Sequence, residues 1–114
     1  MNKLLILFIV FLTLASCNGG GNSISVPVVA TWSQNIPNTS TFGGWEIYVS
    51  NAESGAYSLF KKVAFTEISD VYLCTGSISA TEGELTVKWF KAVAYNKDGV
   101  KSEFSNKSRF MVRP

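Results

Sequence analysis

Apolar and polar residues alternate at a period of two from Val26 onward, and this spacing constrains the fold more than any other feature of the chain. The alternating segments are rich in β-branched and aromatic residues, and no stretch carries helical spacing over three turns. The inward-facing residues predicted for the first two segments are Val28, Ala30, Trp32, Trp45, Ile47 and Val49. The pattern predicts an all-β fold.

Turn signals divide residues 26–114 into short strands. After the first two segments, strands are predicted at 57–65, 71–74, 77–81, 85–95 and 108–112. Lys61 and Lys62 lie in the middle of one of these strands, and adjacent charges favour a position at the edge of a sheet. About seven short strands in ~90 residues indicate an immunoglobulin-like β-sandwich.

The first 16 residues differ in composition from the rest of the chain. Lys3 gives a short positive start, residues 4–14 are apolar except for Thr13, and the small residues Ala15 and Ser16 follow. This layout is typical of a signal peptide. The apolar run is too short for a permanent membrane span, which needs about 20 residues.

The sequence Leu14-Ala15-Ser16-Cys17 resembles the lipobox of bacterial lipoproteins at all four positions. The resemblance implies cleavage between Ser16 and Cys17, acylation of Cys17 and attachment to a membrane through two or three acyl chains, which hold a protein durably. Asn18, rather than Asp, favours the outer membrane if the cell is Gram-negative. The alternative is an ordinary secretory signal that happens to precede a cysteine.

A polar, glycine-rich stretch follows Cys17 and is expected to be a flexible tether. The predicted organisation is therefore a signal peptide at 1–16, a lipidated tether at 17–25 and one domain at 26–114. With Cys17 acylated, Cys74 has no partner for an internal disulfide.

Trp32 ends the first predicted strand, Trp45 opens the second, and residues 89–99 are followed by Ser102 and Ser105. In these residues the domain resembles a fibronectin type III domain, most clearly in its last third. The resemblance implies that strands C and F of that family are neighbours and that the strand F residues Phe90, Ala92 and Ala94 point inward. One departure is Lys88, which stands where the family has a tyrosine. A generic immunoglobulin-like sandwich is the alternative.

The composition argues against catalysis and nucleic-acid binding. The chain has no His, so the commonest general base and metal ligand is absent, and its net charge of +2 comes from scattered residues. Cys74 lies in an apolar run and is expected to be buried, while Glu82 and Glu84 flank a turn glycine that offers no pocket. We expect no enzyme activity, no cofactor and no metal.

The aromatic residues give the strongest indication of a binding surface. If Phe90 points inward, Trp89, Lys91 and Tyr95 lie on the outer face of the same strand, and Tyr48 joins them from strand C. Such faces bind proteins or stack on sugars, although cross-strand pairing within the sheet is an equal alternative. The sequence thus predicts a lipid-anchored envelope module that binds a protein or glycan. The alternatives are a structural spacer, a receptor-blocking lipoprotein of a mobile element, or oligomerisation through this face.

Overall fold

A computed structural model of the chain describes residues 9–12, 22–34, 36, 39–66 and 72–114. These residues form strands β1 (Ile9–Leu12), β2 (Ser23–Trp32), β3 (Phe42–Ser50), β4 (Ser58–Ala64), β5 (Tyr72–Thr81), β6 (Thr86–Asn96) and β7 (Ser108–Val112). They contain no helix that could cross a membrane. The prediction of an all-β fold is confirmed.

The strands pair antiparallel in two sheets. One sheet has the order β1-β2-β5 and the other has the order β4-β3-β6-β7. This arrangement is consistent with a β-sandwich, and it places β3 beside β6 as expected. Lys61 and Lys62 lie on β4, at an edge of the four-stranded sheet, which confirms their predicted position.

Apolar side chains from both sheets form one core. Trp32 at the end of β2 meets Trp45 of β3 edge-on, with ring centroids 5.3 Å apart. Phe90, Ala92 and Ala94 of β6 are fully buried, so the predicted inward register of that strand is confirmed. Burying large aromatic rings of this kind contributes a major share of the stability of a small sandwich.

Two predicted short strands, 71–74 and 77–81, correspond to the single strand β5. The prediction of a break was wrong because Gly76 lies within the strand. A Cβ at Gly76 would meet the Phe60 ring at 2.4 Å. The glycine therefore makes room for Phe60, whose ring packs edge-on against Phe90 at 5.2 Å.

Two N-terminal strands overlap the segments that the sequence assigns to the signal peptide and the tether. β1 falls inside the predicted signal peptide and pairs with residues 28–31 of β2, and β2 begins at Ser23, within the predicted tether. Cys17 and the rest of the lipobox lie outside the described residues. Cleavage and lipidation therefore stay predictions.

A candidate binding face on the four-stranded sheet

The four predicted face residues lie on the outer side of the four-stranded sheet. Strand alternation causes this placement, because the residues between them on β6 fill the core. Tyr48 and Lys91 are directly opposite each other on β3 and β6. Trp89 and Tyr95 lie toward the two ends of β6. All four side chains are half-buried.

Lys91 lies between two aromatic rings. Its Nζ is 4.2 Å from the centroid of Tyr57 and 3.9 Å from that of Phe104. Both separations are within the range of cation–π attraction. The sequence does not predict that either ring belongs to this face, because neither lies on β3 or β6. Tyr57 precedes β4, and Phe104 lies in the segment between β6 and β7.

Tyr48 belongs to a polar cluster beside this lysine. Its Oη donates to Glu46 Oε1 at 2.9 Å, and the same carboxylate oxygen lies 3.0 Å from Lys101 Nζ. The hydrogen bond from Lys101 lowers the pKa of Glu46, and the bond from Tyr48 acts in the same direction against the opposing effect of burial. Burial and the Glu46 carboxylate raise the pKa of Tyr48. The tyrosine is therefore held as a neutral donor.

Tyr95 lies over a glycine pair in β3. A Cβ at Gly43 would meet the Tyr95 ring at 2.7 Å, and Gly44 has a φ of 152° that side-chain-bearing residues rarely adopt. The register of β3 against β6 also shifts at this point. Lys62 Nζ lies 4.9 Å from the centroid of the Tyr95 ring. One side of the Tyr95 ring therefore packs against the glycine pair of β3.

Trp89 lies near the opposite end of β6 from Tyr95. Its direct partner on β7 is Arg109, whose guanidinium carbon is 5.9 Å from the indole centroid. Trp89 also lies opposite Ser50 of β3. The indole is half-buried, so part of its surface is available for contact.

The segment before β7 lies alongside β6 and is attached to it by four hydrogen bonds. Ser102 and Ser105 accept hydrogen bonds through Oγ from the backbone N–H groups of Ala94 and Ala92, each at 2.9 Å. Their own N–H groups donate back to the carbonyls of the same alanines, both at 2.8 Å. This double attachment holds Phe104 edge-on against Tyr48, with ring centroids 5.6 Å apart.

Two residues at the centre of the outer side are buried. Val93 and Glu46 are only 2% and 9% exposed although both lie on the outer side of the sheet. Lys101 and Phe104 reach across from the segment to Glu46 and Tyr48. The candidate face therefore consists of half-buried rings around a buried centre.

The face combines aromatic rings with amines and one buried carboxylate. Cations lie next to its aromatic rings, and the buried carboxylate among them is Glu46, which is already paired with Lys101. Across the residues with assigned structure, no group of three or more His, Cys, Asp or Glu could hold a metal. Cys74 is buried, and burial raises the pKa of its thiol to about 11, so it is a poor nucleophile.

A scan of known protein-family models finds no match to the chain, and searches of curated proteins and of solved structures also find none.

Proposed function

We propose that this chain is a non-catalytic, lipid-anchored module that binds a protein or glycan at the cell envelope. The lipobox residues Leu14-Ala15-Ser16-Cys17 support export, lipidation and anchoring, in the outer membrane if the cell is Gram-negative. The core positions of Trp32 and Trp45 and the pairing of β3 with β6 support a domain of the fibronectin type III type.

The observation that carries the binding proposal is the set of aromatic rings with adjacent cations on one face of the sheet. Lys91 lies between Tyr57 and Phe104, and Lys62 lies over Tyr95. A partner with carboxylate groups next to flat apolar surfaces would pair with the amines and stack on the rings. Acidic protein surfaces and acidic glycans both have this chemistry.

The same contacts favour a structural spacer as the second candidate. Each of these cation–ring pairs is made within the domain, and such pairs contribute about 0.5–1 kcal/mol at exposed sites without any ligand. A spacer would need the face only for stability. The two functions therefore differ in what happens when one amine or ring is removed from an otherwise folded domain.

The test is cross-linking in cells with the intact protein, followed by mass spectrometry of what is captured. Trp89→Ala removes a ring near one end of β6, and Lys62→Ser removes the amine over Tyr95. Lys61→Ser is the matched control, because Lys61 is the adjacent exposed lysine of the same edge strand and carries the same charge.

A binding module predicts one envelope protein or glycan that is captured by the wild type and by Lys61→Ser and is lost with the other two variants. Equal capture by all four folded proteins would contradict the binding proposal and favour the spacer. Thermal unfolding of each variant establishes that the domain is intact before captures are compared.

A further inference from the structure

The proposed function does not involve the outer edge of β2, which is the edge that faces away from β5. β1 covers this edge by pairing antiparallel with residues 28–31 of β2, from Leu12 opposite Val28 to Ile9 opposite Thr31. We propose that, once the chain is processed before Cys17, this edge accepts an extended apolar segment of a different protein as an added strand. The inference rests on the proposed processing, because cleavage there removes β1.

The backbone groups that face this edge follow from the pairing on the other side of β2. Asn22 accepts a hydrogen bond from the Glu82 N–H at 2.8 Å, and β2 pairs with β5 without a register shift. Even-numbered residues therefore direct their backbone groups toward β5, and odd-numbered residues direct theirs toward β1. Pro27 is odd-numbered, so its missing N–H interrupts no bond to β5. Val29 directs both its N–H and its C=O at the outer edge.

The second half of the edge lacks the features that usually prevent strand addition. Sheet edges are normally protected by charged residues, prolines or bulges. The other sheet has Lys61 and Lys62 on its β4 edge, whereas β2 has no charged residue from Ser23 to Trp32. Pro27 protects the first half of β2 only. The buried core residues Val28 and Ala30 lie in the second half, so leaving this edge open would bring core side chains next to water.

The structure also indicates the chemistry of the occupant. The segment seated on the edge is Ile-Val-Phe-Leu, which is uncharged, and its first three residues favour extended structure. It runs antiparallel to β2 and contains no proline. The expected partner is therefore a chain that offers at least four residues of this kind in an extended, accessible stretch, as in known cases of strand addition.

The test uses the processed lipoprotein purified in detergent from its own membranes. Mass spectrometry first shows whether the chain begins at an acylated Cys17, so a failure of processing is separated from a failure of strand addition. The probe is a fluorescent peptide with the sequence of residues 5–14 and two lysines at each end. Fluorescence anisotropy measures its binding.

Two proline variants of the peptide make the measurement specific to backbone pairing. Phe11 lies opposite Val29, so Phe11→Pro removes an N–H that bonds to the edge. Val10 lies opposite Ala30, so the N–H lost in Val10→Pro points away from the edge. We expect saturable binding by the parent and by Val10→Pro, and at least tenfold weaker binding by Phe11→Pro. A Val29→Pro protein should keep its fold and lose peptide binding.

Equal binding of all three peptides would overturn the proposal, because hydrophobic adsorption to detergent or protein does not depend on which N–H is lost. Absence of saturable binding would also overturn it. A processed protein that sediments as a dimer and dissociates on Val29→Pro substitution would show that a second copy occupies the edge instead.

Discussion

Replacing Ser105 with alanine removes the hydroxyl that satisfies a buried backbone donor of β6. Ser105 Oγ accepts the Ala92 N–H at 2.9 Å and donates to the Asn106 carbonyl at 2.8 Å. Ala92 is fully buried and Ser105 is 8% exposed, so water does not readily replace the lost hydroxyl. Leaving a buried donor without a partner costs about 1–3 kcal/mol. With a urea m-value of about 2 kcal/mol/M for a small domain, the unfolding midpoint should fall by ~1 M.

Urea unfolding followed by tryptophan fluorescence measures this loss. Ser102→Ala should cost less, because Ser102 itself is only half-buried and water can take the place of its hydroxyl more readily than at Ser105. Ser79→Ala on the exposed side of β5 serves as the control. If Ser105→Ala unfolds within about 0.5 kcal/mol of that control, the range of ordinary surface substitutions, the role assigned to the hydroxyl is refuted.

Three further predictions concern the cysteines and the buried carboxylate. Cys17→Ser should abolish acylation, and cell fractionation that finds the variant processed and membrane-bound like the wild type would contradict lipidation. Cys74 should resist iodoacetamide at pH 8 in the folded protein and react in urea, because its pKa is raised to about 11 by burial; rapid labelling without urea would refute its burial. The pKa of Glu46 lies below its ordinary value of 4.5, so its ion pair with Lys101 stabilises the fold fully above about pH 4.5 and ceases to do so as the pH falls through the lowered pKa. Between pH 7 and pH 3 the wild type should therefore lose more thermal stability than Glu46→Gln, and equal losses would contradict the assignment.

Local alternation was enough to predict most of the strands and the direction of their side chains. The inward set on β6 and the bounds of β7 could be predicted because each strand has one face in a single core. The continuity of β5 could not, since Gly76 resembles a break unless the position of the Phe60 ring is known. The strand continues through Gly76 in a place where Phe60 of β4, distant in the sequence, packs against the glycine.

The candidate face, too, could be predicted only in part from the sequence. The outward placement of Trp89, Lys91 and Tyr95 follows from alternation along one strand. The placement of Lys101 against Glu46 and of Phe104 against Tyr48 does not, because it depends on a later segment that is attached to β6 through serine hydroxyls. The spacing of Ser102 and Ser105 was visible in the sequence, but the hydrogen bonds that fix Phe104 on the face require the fold.

The order of strands in the two sheets also has a kinetic consequence. β2 pairs with β5, and Ser23 finds its partner in Thr81, while the last strand of the other sheet ends only at Val112. Domains dominated by such distant pairings fold in milliseconds to seconds, because long loops must close before any sheet is complete. Neither sheet can be completed from the first half of the chain alone. A chain that is exported as proposed could therefore complete neither sheet on the far side of the membrane until its second half, with β5 and β7, has crossed.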